Sequence, residues 1–162
     1  MLLLLIRHAP AEPRDQARWP DDRARPLTEA GREVQARVSR ALGNWRLAPS
    51  KVLTSPWLRA VQTAEILVRE LGLRFPPIPC EPLAAPPEFS RLQDDLGDPG
   101  SYPIAALVGH SPWIEALASM LLADAPKGIR MDFPTSGVMG IDLARLAPGA
   151  GEMRFLVRPE MT

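Results

Sequence analysis

One cysteine, Cys80, is all that the chain carries. A disulfide within the chain and a thiolate metal cluster are therefore excluded. Cys80 follows an apolar stretch in IPCEP, with no histidine near it in sequence. It reads as a small, partly buried apolar residue. An excess of charge of one sign is also missing, since 19 Lys+Arg balance 19 Asp+Glu. This excludes nucleic-acid or membrane-surface binding driven by bulk charge, but leaves room for a local anion site. Lysine is scarce: Lys51 and Lys127 are the only two, a compositional bias toward arginine. No apolar run approaches the roughly 20 residues of a membrane span. The opening MLLLLI is too short for a secretory h-region and lacks a basic start. A cytoplasmic protein is expected. What remains, 162 residues of which 46% are hydrophobic and 23% charged, suits one globular domain over residues 1–162.

Leu2 to Ile6 is a continuous apolar run, too short for a helix. It fits a strand buried on both faces, as in a parallel sheet between helices. Residues 9–26 are polar and rich in Pro and Asp, which predicts a loop. Leu27, Ala30, Val34, Val38, Ala41, Leu42 and Trp45 then fall on one helical stripe, with Thr28 placed to cap its start. Lys51 to Thr54 predicts a second strand. Ser55 is expected to cap a second helix with Pro56 in its first position. That helix carries an apolar stripe from Trp57 to Leu71. FPPIPC suits an extended edge segment, because proline cannot serve a central ladder. A short helix near Phe89 to Leu96, a strand at Ile104 to Val108 and a helix from Ser111-Pro112 to about Leu122 follow. Strands near Val138 to Leu143 and Glu152 to Val157 end the chain. This alternation indicates an α/β layer fold.

The chain has two histidines, and both stand directly after a buried-type strand, in IRHAP and LVGHSP. Ligands of open α/β sheets bind at the carboxyl ends of strands. If the two strands are neighbours, His8 and His110 face each other there. Arg7 accompanies the first, and Arg59 in SPWLRA lies on the opening turns of the helix after KVLT. Arginine is costly to bury without an anion, and its fork suits a phosphate. A neutral imidazole is a nucleophile, and surrounding cations stabilise a transferring phosphoryl group. The residues thus point to phosphoryl transfer through a phosphohistidine. A metal site is the weaker reading of two histidines, since no helical HxxxH or Cys partner exists and the arginines repel a cation. Trp45 and Trp57 read as core, Trp113 as packing, and Trp19 has no expected role.

These residues resemble the histidine phosphatase superfamily, the phosphoglycerate-mutase-like fold, over most of the chain. IRHA resembles its Arg-His-Gly signature, with Ala9 in place of the usual Gly. RPLTEAGREVQA (25–36), TSPWLRAVQTAEIL (54–67) and LVGHSP (107–112) resemble three further motifs in the same order. The short length, RPLTEAG and TSGVMGIDL (135–143) look most like the bacterial SixA-type phosphohistidine phosphatases. The resemblance implies a three-layer α/β/α fold with a mostly parallel central sheet and no large lid insertion. It makes His8 the nucleophile and assigns Arg7, Arg59 and His110 to the phosphate pocket. It implies no metal and no organic cofactor.

Larger members of the superfamily take a proton donor from the region after the third strand. Glu81 and Glu88 are the candidates here, Glu88 preferred by its place in LAAPPEFSRL. A phosphoramidate leaving group needs less acid help than an alkoxide. The short, Pro-rich segment 81–103 predicts an open cleft able to admit a histidine presented on another protein. The expected function is a phosphatase acting on phosphohistidine of a signalling protein. A small-molecule phosphomonoesterase on the same fold, and a phosphate- or phosphoprotein-binding module without turnover, are the alternatives. The expected partner is thus a phosphorylated protein or small phosphorylated compound, with no nucleic acid and no membrane.

Overall fold

A computed structural model describes residues 1–162. The strands are β1 (Leu2–Arg7), β2 (Lys51–Thr54), β3 (Ile78–Pro79), β4 (Ile104–Gly109), β5 (Val138–Leu143) and β6 (Gly151–Val157). The helices are α1 (Glu29–Asn44), α2 (Leu58–Glu70), α3 (Phe89–Leu96) and α4 (Trp113–Ala123). The strands form one sheet in the order β3-β2-β4-β1-β5-β6. Pairing is parallel from β3 through β2 and β4 to β1, and β5 runs antiparallel to both β1 and β6. The sheet is therefore mostly parallel, with β5 alone reversed. No helix is long and apolar enough to cross a membrane.

β1 is central because its side chains are apolar on both faces. Leu4 and Ile6 pack with Val38 and Leu42 of α1 and Ala60, Ala64 and Leu67 of α2. Leu3 and Leu5 pack on the other face with Leu92 and Leu96 of α3 and Ile114, Leu117 and Leu121 of α4. The result is three layers, helices over each face of the sheet. Each fully buried leucine contributes roughly 1.5–3 kcal/mol, so this strand is firmly held. β3 is a two-residue edge strand of Ile78 and Pro79, where a missing proline N–H costs no ladder bond.

Three local expectations change. The second helix begins at Leu58 rather than at Pro56, and Ser55 does not cap it. The Ser55 N–H extends the ladder onto the Val108 carbonyl at 2.9 Å, so the chain is still strand-like there. Trp45 is not core: α1 stops at Asn44, and Trp45 is its C-cap, 45% exposed. Cys80 is fully rather than partly buried, and burial pushes its thiol up to about 12.

The start of α1 is welded to the loop that follows β1. The Thr28 hydroxyl accepts from the Gly31 N–H at 2.9 Å. The Thr28 N–H donates to the Pro10 carbonyl at 3.1 Å. A Cβ on Gly31 would lie 2.0 Å from that same carbonyl oxygen. Backbone rather than a movable side chain fills the space, so only glycine allows the approach. We expect Gly31→Ala to destabilise the fold by roughly 1–3 kcal/mol through overpacking, read as a lower urea midpoint at unchanged m-value. An unchanged midpoint would show that loop and helix separate freely.

Candidate active site

The register of the central strands brings the two histidines together. Arg7 of β1 stands beside Gly109 of β4, and the His8 N–H donates to the Gly109 carbonyl at 2.9 Å. The imidazoles follow directly, with ring centroids 5.1 Å apart and planes inclined by 53°. Nδ1 of His8 lies 2.7 Å from the Ala9 carbonyl oxygen. That oxygen only accepts, so Nδ1 carries the hydrogen and Nε2 keeps its lone pair. Burial foremost, then Arg59, Arg7 and Arg25, lower the His8 pKa to about 4 against the opposing pull of the Ala9 carbonyl. Burial, His8 and Arg59 lower that of His110 to about 3. Both rings are neutral at neutral pH.

The arginines are held from behind. Nη1 of Arg7 donates to the Phe133 carbonyl at 2.7 Å. The segment before β5 also supplies the Ser136 N–H, which donates to the Arg7 and His8 carbonyls at 3.1 and 3.2 Å. Ser136 is fully buried and adopts a positive φ of 57° to do so. Arg59, on the first turn of α2, is 3% exposed. Its Nη1 donates to the Asp22 carbonyl at 2.8 Å and its Nη2 to the Asp22 carboxylate at 3.1 Å. Its guanidinium stacks 4.6 Å from the Trp57 ring centroid. Burial lowers its pKa to about 10, which leaves it charged at pH 7. Arg25 donates from Nε to the other Asp22 oxygen at 2.7 Å and from Nη1 to the Glu12 carbonyl at 2.7 Å. The Arg25 hydrogen bond holds the Asp22 carboxyl below its ordinary range, with burial opposing and Arg59 assisting.

Ala9 fits where the motif usually has glycine. It is fully buried, and its N–H donates to the Thr63 hydroxyl at 3.0 Å. Thr63 in turn donates to the Arg59 carbonyl at 2.7 Å, which ties the loop after His8 to the turn that carries Arg59.

A crevice of about 590 Å³ opens between these groups, with Arg7, His8, Arg25, Arg59 and His110 in its wall. All four residues expected at a phosphate are thus in one place. The two expected acids are not: Glu81 and Glu88 are exposed, and neither lines the crevice. Glu88 stands at the start of α3 and faces Arg91 at 3.5 Å. Glu12 is the one carboxylate in the wall. Trp57 is half-buried between Arg59 and His110, 4.7 Å from the latter ring, rather than in the core. Trp113 also reaches the crevice wall. Trp19 is half-buried beside Arg18, 5.5 Å away. Sequence reasoning missed Asp22, Arg25 and Glu12. Arg25 opens the RPLTEAG segment and was within reach, whereas Asp22 and Glu12 read as solvated loop charges. No group of three or more His, Cys, Asp or Glu side chains is placed to hold a metal ion.

A sequence model of the histidine phosphatase superfamily (branch 1) matches residues 3–84. The chain belongs to the histidine phosphatase superfamily. It is an enzyme of that superfamily, a phosphatase that works through a histidine nucleophile. An uncharacterized protein of Picosynechococcus sp. (strain PCC 7002) is 34% identical over 148 residues, covering 87% of this chain and 84% of that one. The structure of the protein histidine phosphatase SixA complexed with tungstate matches with a TM-score of 0.82 at 23% identity, over 98% of this chain and 97% of that one. The α-ribazole phosphatase of Shigella flexneri matches with a TM-score of 0.67 at 19% identity, over 98% of this chain and 97% of that one. The three-layer architecture without a large insertion is thus the fold of this superfamily.

The lowered histidine pKa values set a pH dependence. In the unfolded chain each imidazole takes a proton near 6.5, and in the folded protein His8 does so only near 4. Between about pH 4 and 6.5 the unfolded state therefore binds more protons, so stability rises with pH across that window and falls as pH is lowered through it. We expect the urea midpoint to drop between pH 7 and pH 5, and a His8→Gln/His110→Gln double variant to lose part of that slope. A titration of His8 near pH 6.5 by NMR would contradict the burial described above.

Proposed function

We propose that His8 Nε2 accepts a phosphoryl group from a phosphohistidine borne on a cytoplasmic signalling protein, and that one domain, residues 1–162, performs the whole reaction. The observation that carries this reading is the bond between His8 Nδ1 and the Ala9 carbonyl, which leaves a neutral Nε2 lone pair in a crevice walled by arginines. In the first step the Nε2–P bond forms as the bond from phosphorus to the leaving group breaks. Arg7, Arg59 and His110 hold the three equatorial oxygens on which charge spreads. In the second step water attacks phosphorus, the Nε2–P bond breaks and inorganic phosphate departs.

Two features favour a protein substrate. Between β3 and β4 the chain forms only single-turn 3₁₀ pieces and α3, and of that stretch Ala84 alone reaches the crevice wall. No lid helix closes over His8, so a side chain carried on another molecule can enter. The second is the distance of Glu81 and Glu88 from the crevice, which suits a leaving group that needs little acid help. A small phosphomonoester is the second reading. A crevice of about 590 Å³ has the volume of a small-ligand site, and Glu12 in its wall is a carboxyl that such a substrate would use.

Phosphate release decides between them. A histidine-phosphorylated phosphotransfer protein and a panel of small phosphomonoesters would be compared at matched concentrations. We expect faster release from the protein and none from the His8→Ala variant. Faster release from one small ester would make the enzyme a metabolic phosphatase, and turnover by His8→Ala would remove the covalent mechanism.

Glu12 offers a separate test. We expect Glu12→Gln to leave hydrolysis of phosphoramidate and of p-nitrophenyl phosphate nearly unchanged, since those leaving groups depart readily. Hydrolysis of an alkyl phosphate should fall by roughly 100-fold, the scale of losing a general acid. Equal losses on all three would mean that Glu12 shapes the crevice rather than donating a proton.

A further inference from the structure

We propose that Ser55 is a positioning residue whose hydroxyl sets the tautomer of His110, so that Nδ1 carries the hydrogen presented to the phosphoryl group. The proposal rests on the reading of His110 as part of the phosphate pocket.

Ser55 is fully buried directly after β2, which pairs with β4, the strand that ends one residue before His110. Its Oγ lies 2.7 Å from Nε2 of His110. The same Oγ accepts from the Trp57 N–H at 3.3 Å. A hydroxyl has one hydrogen to donate and two lone pairs. With one lone pair engaged by Trp57, the hydrogen still needs an acceptor, and Nε2 of His110 is the acceptor within reach. The hydroxyl therefore donates to Nε2.

The reverse arrangement fails twice. An Nε2–H directed at Oγ would strand the hydroxyl hydrogen where no water reaches, a cost of roughly 1–3 kcal/mol. It would also leave Nδ1 a buried, bare lone pair with no donor inside the protein. A doubly protonated ring is opposed by burial and by Arg59. The neutral ring with hydrogen on Nδ1 is the form that satisfies Ser55. Nδ1 is itself buried with no partner inside the protein. A phosphoryl oxygen held by Arg7 and Arg59 would accept its hydrogen. Ser55 does not cap α2, which begins at Leu58 after Trp57; its hydroxyl instead links the Trp57 N–H to the imidazole.

The test is direct because the chain has only two histidines. Long-range ¹H–¹⁵N correlation on ¹⁵N-labelled wild-type protein at pH 7 distinguishes the tautomers, and a His8→Gln variant assigns the two patterns. We expect His110 to carry its hydrogen on Nδ1. In Ser55→Ala the ring should populate the other tautomer, and kcat on p-nitrophenyl phosphate should fall by about 100-fold, the scale of losing one donor to a developing oxyanion. Ser55→Thr, which keeps the hydroxyl, should restore both readouts. Hydrogen on Nε2 in the wild-type protein would overturn the proposal even if Ser55→Ala does not fold. So would a Ser55→Ala variant that changes the tautomer or kcat without changing the other, or changes neither. If the wild-type tautomer and its Ser55 dependence hold while no phosphate compound is hydrolysed, the phosphate-pocket reading fails and the tautomer control stands.

Discussion

The Asp22 carboxylate between two guanidiniums is the interaction on which the site depends. Arg59 is almost wholly buried and Arg25 nearly so, and neither charge can be desolvated cheaply without an anion. Asp22 meets both, one through each carboxylate oxygen, and offers its own carbonyl to Arg59 as well. This anchors the polar loop after His8 to the first turn of α2. Arg25 carries the tie onward to the Glu12 carbonyl. One acidic side chain thus fixes the position of Arg59 and the course of the crevice wall. Because both terminal nitrogens of its fork donate to Asp22, Arg59 has few ways to turn aside, and the entropy of ordering it is lost in folding rather than at binding.

The same cations shape the histidines. Burial foremost, and then the charges of Arg59, Arg7 and Arg25, favour the neutral form of the His8 ring over the protonated one. A nucleophile needs that neutral form. The neutral form leaves the Nε2 lone pair of His8 free in a crevice walled by arginines. The second ring, His110, is kept neutral as well, by burial first and then by His8 and Arg59.

Strands and helices were legible because each rests on a local pattern. Leu2 to Ile6 and Ile104 to Val108 are unbroken apolar runs, and the α1 and α2 stripes keep a helical period. Arg7, His8 and His110 were legible for the related reason that strand ends follow from strands, and Arg59 because it opens the helix after β2. Errors arose where periodicity says nothing about a terminus. Trp45 continues the apolar stripe of α1, but the helix ends before it. Trp57 begins the stripe of α2, but lies before the first turn and beside the crevice. Ser55 before Pro56 resembles a cap, and only the neighbouring strand reveals His110 as its partner. Glu12 and Asp22 sit in a stretch without period, and their partners lie 13 and 37 residues away at Arg25 and Arg59. Such pairings follow from the tertiary path of a loop, which no local pattern encodes.

The reversal of β5 has a consequence for how the enzyme comes into being. Running against β1, it places its beginning, not its end, next to Arg7 and His8, so that Phe133, Ser136 and Gly137 supply backbone groups to both residues. Arg7 and its Phe133 partner are 126 residues apart. A chain emerging from the ribosome carries Arg7 and His8 early, and their surroundings are complete only after β5 has been made and paired. Contacts of such span form slowly, because loop closure must come first. The backbone partners of Arg7 and His8 are therefore complete only once β5, far along the chain, has been made and paired.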